Sequence, residues 1–254
     1  MEKQPWSIIQ EGQTPLVGVA LHSGHEVQNW VKGLMAIDPT TRMTEEDPFT
    51  DRLIEFMPNR VLAHLSRFQV DLNRPMKQAI YLDPSLSWDL QVWKQPLDQQ
   101  VVNQLKCIHT RFYIAVNDLL EQLRSQFGRF LLVTIHSYER DRGKIKDRAD
   151  IDVGTWTVDP IFQPVIDAFK QVASDQKVGG QDLVVRQSSL INEPTYFEYW
   201  LSQHFPESCY LSVEIAKEVF MVSGGLAVYT QQFKQLKELI KLATESSLQV
   251  FCTL

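Results

Sequence analysis

The chain has 254 residues, of which 44% are hydrophobic, enough to bury the core of one large domain or two small ones. Its formal charge of -6 and its lack of a Lys/Arg cluster argue against nucleic acid as a partner, and no stretch approaches the ~20 apolar residues of a membrane span. The N-terminus lacks the apolar core of a signal peptide and the three cysteines are scattered, so we expect a soluble cytoplasmic protein without a disulfide framework or a thiolate zinc site.

Two short apolar runs each end in the pair His-Ser. Residues 16–21 lead into His22, and residues 130–135 lead into His136. Continuous aliphatic runs of this length predict buried strands, most often in a parallel sheet. Ligand sites in such sheets lie beyond the carboxyl ends of the strands. Two imidazoles at that edge suit a metal site, so a metallo-hydrolase is the first hypothesis, and hydrogen-bonded structural histidines are its alternative.

Between these strands, the acidic segment at residues 44–48 predicts a helix start capped by Thr44. A catalytic zinc ion often takes a carboxylate beside two histidines, and the candidates are Glu26, Glu46 and Asp47. The alternative for Glu46 and Asp47 is that they are solvated acids at a helix N-terminus. A strand at residues 61–65 and an irregular connection at 75–96 follow.

Helix and strand signals alternate through the rest of the chain, which favours an α/β architecture in a single domain of residues 1–254. Apolar positions recur at helical spacing up to Gly128, which predicts a long helix. The further predicted elements are the long helix at 98–127, an exposed charged loop at 141–152, a helix at 161–174, strands at 183–185 and 210–215, and a final helix at 231–246.

Three polar residues near one predicted sheet edge could bind a carboxylate. Arg67 directly follows a predicted strand, and Asn73 and Arg74 come shortly after it. Arginine suits a bidentate grip on a carboxylate. The alternative is an ordinary salt bridge between Asp71 and an arginine.

Glu214 lies within an otherwise apolar strand. Burial of an unpartnered charge is costly, so this carboxylate must be paired or functional. Such a setting raises a carboxyl pKa and suits a general base. A structural salt bridge to Lys217 or to an arginine is the alternative.

These segments together resemble the N-formylglutamate amidohydrolase family. They stand in the family's order and span residues 15–221, so most of the chain is covered. The segments are ALHSGHE at 20–26, EEDPFTD at 45–51, SRF at 66–68, DLNRP at 71–75, HSY at 136–138 and LSVEI at 211–215.

The resemblance implies a fold like that of the zinc carboxypeptidases, also called phosphorylase/hydrolase-like: a mixed, mostly parallel sheet with helices on both faces. It also implies a zinc ion held by His22, His136 and an acidic residue. Asp47 is the first choice for that residue and Glu26 the second.

The same resemblance implies a reaction, the cleavage of an N-formyl or N-acyl amino acid or a short peptide that carries a carboxylate. Arg67 would polarise the scissile carbonyl, and Glu214 would activate water. Asn73 and Arg74 would hold the substrate carboxylate. Bulky residues occupy 192–199, where the family often has a Gly-Gly pair.

Two other functions remain open. A non-catalytic relative could bind a small carboxylate ligand or act as a regulatory module, and a purely structural network would fold tightly without metal. A degenerate binding module would be expected to have lost part of the site. The full set is present, namely His22, Asp47, Arg67, Arg74, His136 and Glu214. The oligomeric state is open.

Overall fold

The computed structural model describes residues 4–140, 149–188, 194–222 and 227–254. Within these ranges the chain forms a seven-stranded sheet and a separate two-stranded ribbon. The strands are β1 (Trp6–Gln10), β2 (Leu16–Ala20), β3 (Asn59–Ala63), β4 (Leu131–Tyr138), β5 (Ile151–Gly154), β6 (Lys177–Val178), β7 (Gln181–Asp182), β8 (Val185–Gln187) and β9 (Cys209–Ala216).

The order of the strands places four parallel strands at the centre of the large sheet. The order is β1-β3-β2-β4-β9-β5-β8, and β3, β2, β4 and β9 run in the same direction. The outer strands β1 and β5 run antiparallel to their inner neighbours. The carboxyl ends of β2, β4 and β9 therefore meet at one edge, where His22, His136 and Glu214 lie.

Helices cover both faces of this sheet. They are α1 (Asn29–Lys32), α2 (Pro39–Glu45), α3 (Thr50–Leu53), α4 (Gln99–Phe127), α5 (Gln163–Asp175), α6 (Tyr196–His204) and α7 (Thr230–Phe251), with 3-10 turns at Pro84–Ser87, Pro160–Phe162 and Lys217–Val219. One buried core packs α4 and α6 against the sheet, and the other packs α5 and α7 against the opposite face. The predicted fold class, an α/β domain with a mixed, mostly parallel sheet, is confirmed.

The long helix follows its sequence signals closely. The Asp98 side chain accepts a hydrogen bond from the amide of Gln100 at the N-terminus of α4. Gly128, at a φ of 81°, ends the helix in a backbone conformation that favours glycine. The predicted final helix is also present, and it extends to Phe251 and packs against α5 and the sheet.

The predicted helix start at Thr44 is wrong. Asp38 caps α2 by accepting hydrogen bonds from the amides of Thr40 and Thr41, and Pro39 occupies the first helical position. Thr44 therefore lies in the last turn of α2, and the acidic segment leaves this helix instead of starting one.

Two further expectations need correction. The charged segment predicted as an exposed loop at 141–152 runs into β5, whose first two residues, Ile151 and Asp152, are buried and pair with β9 and β8. Residues 141–148 of that segment lie outside the described part of the chain. Of the strand predicted at 183–185, only Val185 lies in a strand, as the first residue of β8 at the edge of the large sheet, and residues 183–184 connect it to β7.

The described helices include none with the length and apolar character that crossing a membrane requires. The cytoplasmic location stays a prediction.

Candidate active site

Two histidines and an aspartate converge at the carboxyl edge of the sheet. Asp47 Oδ2 lies 3.0 Å from His136 Nδ1 and 3.4 Å from His22 Nδ1. All three side chains are buried, and their ligand atoms lie within 4.8 Å of one another. Three of the residues predicted to hold metal are therefore brought together.

The backbone around Asp47 fixes this carboxylate beside β2. The amide of Asp47 donates a hydrogen bond to the carbonyl of His22 at 2.9 Å. The hydroxyl of Thr50 donates to the carbonyl of Asp47 at 2.7 Å, and Phe49 between them has a φ of 70°. This turn holds the aspartate against the histidine that follows β2.

The charges within this group favour an ionised aspartate. Burial alone would raise the pKa of Asp47, but its interactions with His136 and His22 hold that pKa well below the usual range. Burial opposes the charged form of His136, yet its hydrogen bond to Asp47 raises the His136 pKa. The group thus presents a carboxylate to two imidazoles.

The donor atoms fit a divalent metal such as zinc. His22 Nδ1 is buried and no hydrogen bond satisfies it within the described residues, as expected of an atom that serves as a ligand. Two imidazole nitrogens and one carboxylate oxygen form a ligand set found at catalytic zinc sites.

Asp71 joins the histidine to the arginine. Its Oδ1 lies 2.8 Å from His22 Nε2, and its Oδ2 accepts a hydrogen bond from Arg67 Nη2 at 2.7 Å. The hydroxyl of Tyr81 also donates to Asp71. Burial opposes these charges, but their mutual attraction raises the pKa of Arg67 and lowers that of Asp71. The salt bridge considered in the sequence analysis exists, and it lies inside the site.

Glu214 faces the same group from β9. It pairs in register with His136 on β4 and with Asp152 on β5. Burial raises the pKa of Glu214 to about 7, and the nearby His136 partly opposes this. Lys217 instead donates a hydrogen bond to the carbonyl of Thr44. The environment of Glu214 is the one that a general base needs near neutral pH.

Asn73 and Arg74 line the same cavity as Glu214. Asn73 Oδ1 accepts a hydrogen bond from the amide of Phe197 at 3.1 Å, which ties it to the start of α6. Because this bond uses the amide oxygen, the NH₂ group of the side chain remains to donate hydrogen bonds. The carbonyl of Arg74 is bonded to His109 Nε2 at 2.9 Å.

A cavity of 800 Å³ opens above these groups. The predicted residues that line it are His22, Asp47, Arg67, Asn73, Arg74, His136 and Glu214. Sequence analysis did not predict its aromatic wall, formed by Trp88, Tyr138, Tyr196 and Tyr199. Nothing in their spacing marks them, except that the last two lie within the segment at 192–199 in which bulky residues replace glycines.

The other carboxylates considered as ligands lie elsewhere. Glu26 is outside the metal-type group found among the described residues, and its backbone pairs with Leu65. Glu46 is fully buried, 2.8 Å from His25 Nδ1 and 3.5 Å from Arg42 Nη1. The alternative that Glu46 and Asp47 are solvated acids is therefore wrong, because both are buried in bonded networks.

A histidine-carboxylate group below a cavity, at the carboxyl edge of a mixed α/β sheet, is typical of hydrolases that use a metal ion. The family model described as N-formylglutamate amidohydrolase matches residues 14–221. The chain belongs to this family, which supports an amidohydrolase activity.

Two solved structures share the fold, and a third matches at a lower TM-score. An N-formylglutamate amidohydrolase from Ralstonia eutropha JMP134 has a TM-score of 0.79 and 18% identity, covering 99% of this chain and 100% of its own. A gene product of Agrobacterium tumefaciens has a TM-score of 0.69 and 18% identity, covering 98% and 97%. A metallo-carboxypeptidase from Burkholderia cenocepacia has a TM-score of 0.40 and 11% identity, covering 97% and 66%. No curated protein sequence matches the chain.

Proposed function

We propose that the chain, as one domain of residues 1–254, is a zinc-dependent amidohydrolase that cleaves an N-formyl or N-acyl amino acid or a short peptide. One observation carries the proposal: the His22–Asp47–His136 group and the partly buried Glu214 face the same cavity as Arg67, Asn73 and Arg74. This cavity thus combines a ligand set for metal, a base and groups that bind anions.

His22, Asp47 and His136 would hold the metal. A zinc ion there would supply Lewis acidity toward the amide carbonyl and lower the pKa of water. Asp71 positions His22 by bonding its Nε2, so that Nδ1 is directed toward Asp47. A carboxylate behind a histidine ligand fixes its tautomer and increases its basicity.

Glu214 would move the proton. It accepts a proton from the water whose oxygen adds to the amide carbon, and later gives that proton to the leaving nitrogen as the C–N bond breaks. The products are a carboxylic acid and a free amino acid. A pKa near 7 lets the same carboxyl group act as base and then as acid at neutral pH.

Arg67 would stabilise the charge that develops on the carbonyl oxygen. Asp71 engages Nε and Nη2 of its guanidinium, and we assign Nη1 to the substrate. Arg74 and the NH₂ group of Asn73 would bind the carboxylate of the substrate and place its amide next to Glu214.

The test is metal content together with turnover in the full chain. We expect about one zinc per chain by elemental analysis, and release of glutamate from N-formyl-L-glutamate. Replacement of both histidine ligands in His22→Ala/His136→Ala should remove the metal. Glu214→Gln should keep the metal and lower kcat by about 10²–10⁴-fold.

Two outcomes would contradict the proposal. A protein that binds no zinc even after incubation with the metal excludes the metal-dependent mechanism. A protein that binds zinc and the amide but turns over no amide substrate supports the non-catalytic relative instead.

A further inference from the structure

The cavity is larger than the namesake substrate of the family requires. Its volume is 800 Å³, within the ~300–1,000 Å³ of pockets that hold drug-sized ligands. N-formylglutamate has about a dozen non-hydrogen atoms. If each of these atoms occupied the ~30 Å³ that a water molecule occupies in the liquid, the whole molecule would still leave more than half of the cavity unfilled. The remaining space fits a larger substrate.

Trp88 lines that cavity and has a strained backbone conformation. It has a φ of 54° and Asp89 a φ of 64°, a conformation that is uncommon for residues other than glycine. Its ring lies 6.3 Å from the rings of Phe68 and Tyr81, and the residue is still 41% exposed. Trp88 ends the 3-10 turn at Pro84–Ser87 in this conformation, and backbone strain of this kind is concentrated at active sites and ligand-binding segments.

The position of Trp88 assigns it to one end of the substrate. The Arg67 guanidinium carbon lies 4.9 Å from the centre of the Trp88 ring. If Arg67 binds the amide carbonyl and Arg74 the carboxylate, the acyl chain leaves the carbonyl on the side away from Arg74. An indole in contact with Arg67 is then a neighbour of the acyl carbonyl, within reach of the acyl chain that a formyl group lacks.

A second exposed aromatic residue extends this apolar wall. Tyr199 on α6 is 51% exposed and lines the cavity, as does Tyr196 one helical turn before it. Exposed aromatic rings in a cavity mark a surface that gains free energy when an apolar ligand covers it.

We propose that this amidohydrolase acts on N-acyl amino acids with an aromatic acyl group, such as an arylacetyl group, and that Trp88 selects that group. The proposal rests on the proposed function, because it uses Arg67 and Arg74 to orient the substrate. The proposed substrate has a larger acyl group in place of the formyl group, and its amino acid end is unchanged.

The test is a series of N-acyl-L-glutamates that differ only in the acyl group. We expect the zinc-loaded full chain to have a kcat/KM at least about tenfold higher for the phenylacetyl than for the acetyl compound, since even one methylene in an apolar pocket is worth ~10-fold or more. Trp88→Ala should reduce this ratio about tenfold, and Trp88→Phe should keep most of it. Because the ratio compares two substrates of one enzyme, any general effect on Arg67 cancels.

Trp30→Ala is the matched control, because Trp30 is a similarly exposed tryptophan, at 37%, that does not line the cavity. It should leave the ratio unchanged. A formyl compound that is cleaved best, or a ratio that survives Trp88→Ala, would overturn the proposal while leaving the amidohydrolase function intact.

If no amide is cleaved, a binding measurement tests the selectivity for an aromatic acyl group separately from the amidohydrolase function. Calorimetry with the uncleaved N-phenylacetyl-L-glutamate and N-acetyl-L-glutamate then decides the selectivity. Binding of the aromatic compound that is about tenfold tighter, and is lost in Trp88→Ala, supports the assignment of Trp88. Equal affinities overturn it.

Discussion

Asp71 and His22 form the link between the candidate metal site and the anion-binding side of the cavity. Asp71 Oδ1 lies 2.8 Å from His22 Nε2, and its other oxygen is bonded to Arg67. One carboxylate therefore orients a metal ligand and a substrate-binding guanidinium together. Removal of its charge should affect both at once.

We expect Asp71→Asn to weaken zinc binding by about 10–100-fold, the usual effect of losing the carboxylate behind a ligand histidine. It should also lower kcat/KM at saturating zinc, because Arg67 loses its charged partner. Zinc affinity is measured by competition with a chelator. Asp167→Asn, the same change at a residue whose side chain is 59% exposed on α5, is the control. An unchanged zinc affinity in Asp71→Asn would show that His22 needs no support from Asp71.

Metal removal should destabilise the protein. A ligand at 100 times its Kd stabilises the native state by ~2.7 kcal/mol. Removal of such a ligand by EDTA should therefore lower the Tm of a chain of this size by about 5–10 °C. Scanning calorimetry with and without EDTA measures it, and added zinc should restore the Tm. The His22→Ala/His136→Ala protein should not respond to EDTA. A Tm that EDTA leaves unchanged in the unmodified protein would favour the purely structural network.

Gly24 should tolerate no side chain, although it is not one of the three candidate metal ligands. A Cβ there would come 2.3 Å from the carbonyl carbon and oxygen of His64 and 2.7 Å from the carbonyl oxygen of Ala63. We expect Gly24→Ala to lower the free energy of unfolding by about 1–3 kcal/mol, measured by urea denaturation, and to weaken zinc binding through the displaced His22. Gly33→Ala is the control, because nothing lies within 4 Å of that position. Equal stability of the two variants would contradict the expected clash.

The elements that the sequence predicts well are those whose signal is local. The long α4 was predicted from a helical apolar repeat and a terminal Gly128, and both appear in the structure. The strands before His22 and His136 are buried on both faces, so their apolar runs are continuous. Their direction then places both histidines at one edge.

Other features depend on contacts that no local pattern records. Strand β1 is only half buried and is fixed by antiparallel pairing with β3, and it was not predicted. The burial of Glu46 depends on His25 and Arg42. Trp88 reaches the cavity through an irregular connection, and its contact with Arg67 follows from the tertiary fold.

Asn73 allows the substrate carboxylate site to be tested with little change to the fold. An aspartate at this position can still accept the hydrogen bond from the amide of Phe197, but it has no NH₂ group to offer a substrate. We expect Asn73→Asp to raise KM at least about tenfold for N-acyl amino acids, with a smaller change in kcat, because it places a like charge beside the substrate carboxylate. Asn103→Asp on the exposed face of α4 is the control. An unchanged KM would move the carboxylate site away from Asn73.

The pH dependence of activity tests Glu214. As a base it must be ionised, so kcat/KM should rise with pH through the pKa of Glu214. Burial raises that pKa from 4.5 to about 7 in the metal-free protein, and a bound cation would favour the ionised form and lower it again. We therefore expect an acid limb with its midpoint between these values. Zinc content measured over the same pH range separates this limb from loss of the metal. Glu198→Gln removes a neighbouring carboxyl group that adds to the raised pKa of Glu214, so it should keep the limb and move its midpoint to lower pH. Activity that is independent of pH while zinc stays bound would remove Glu214 from the role of base.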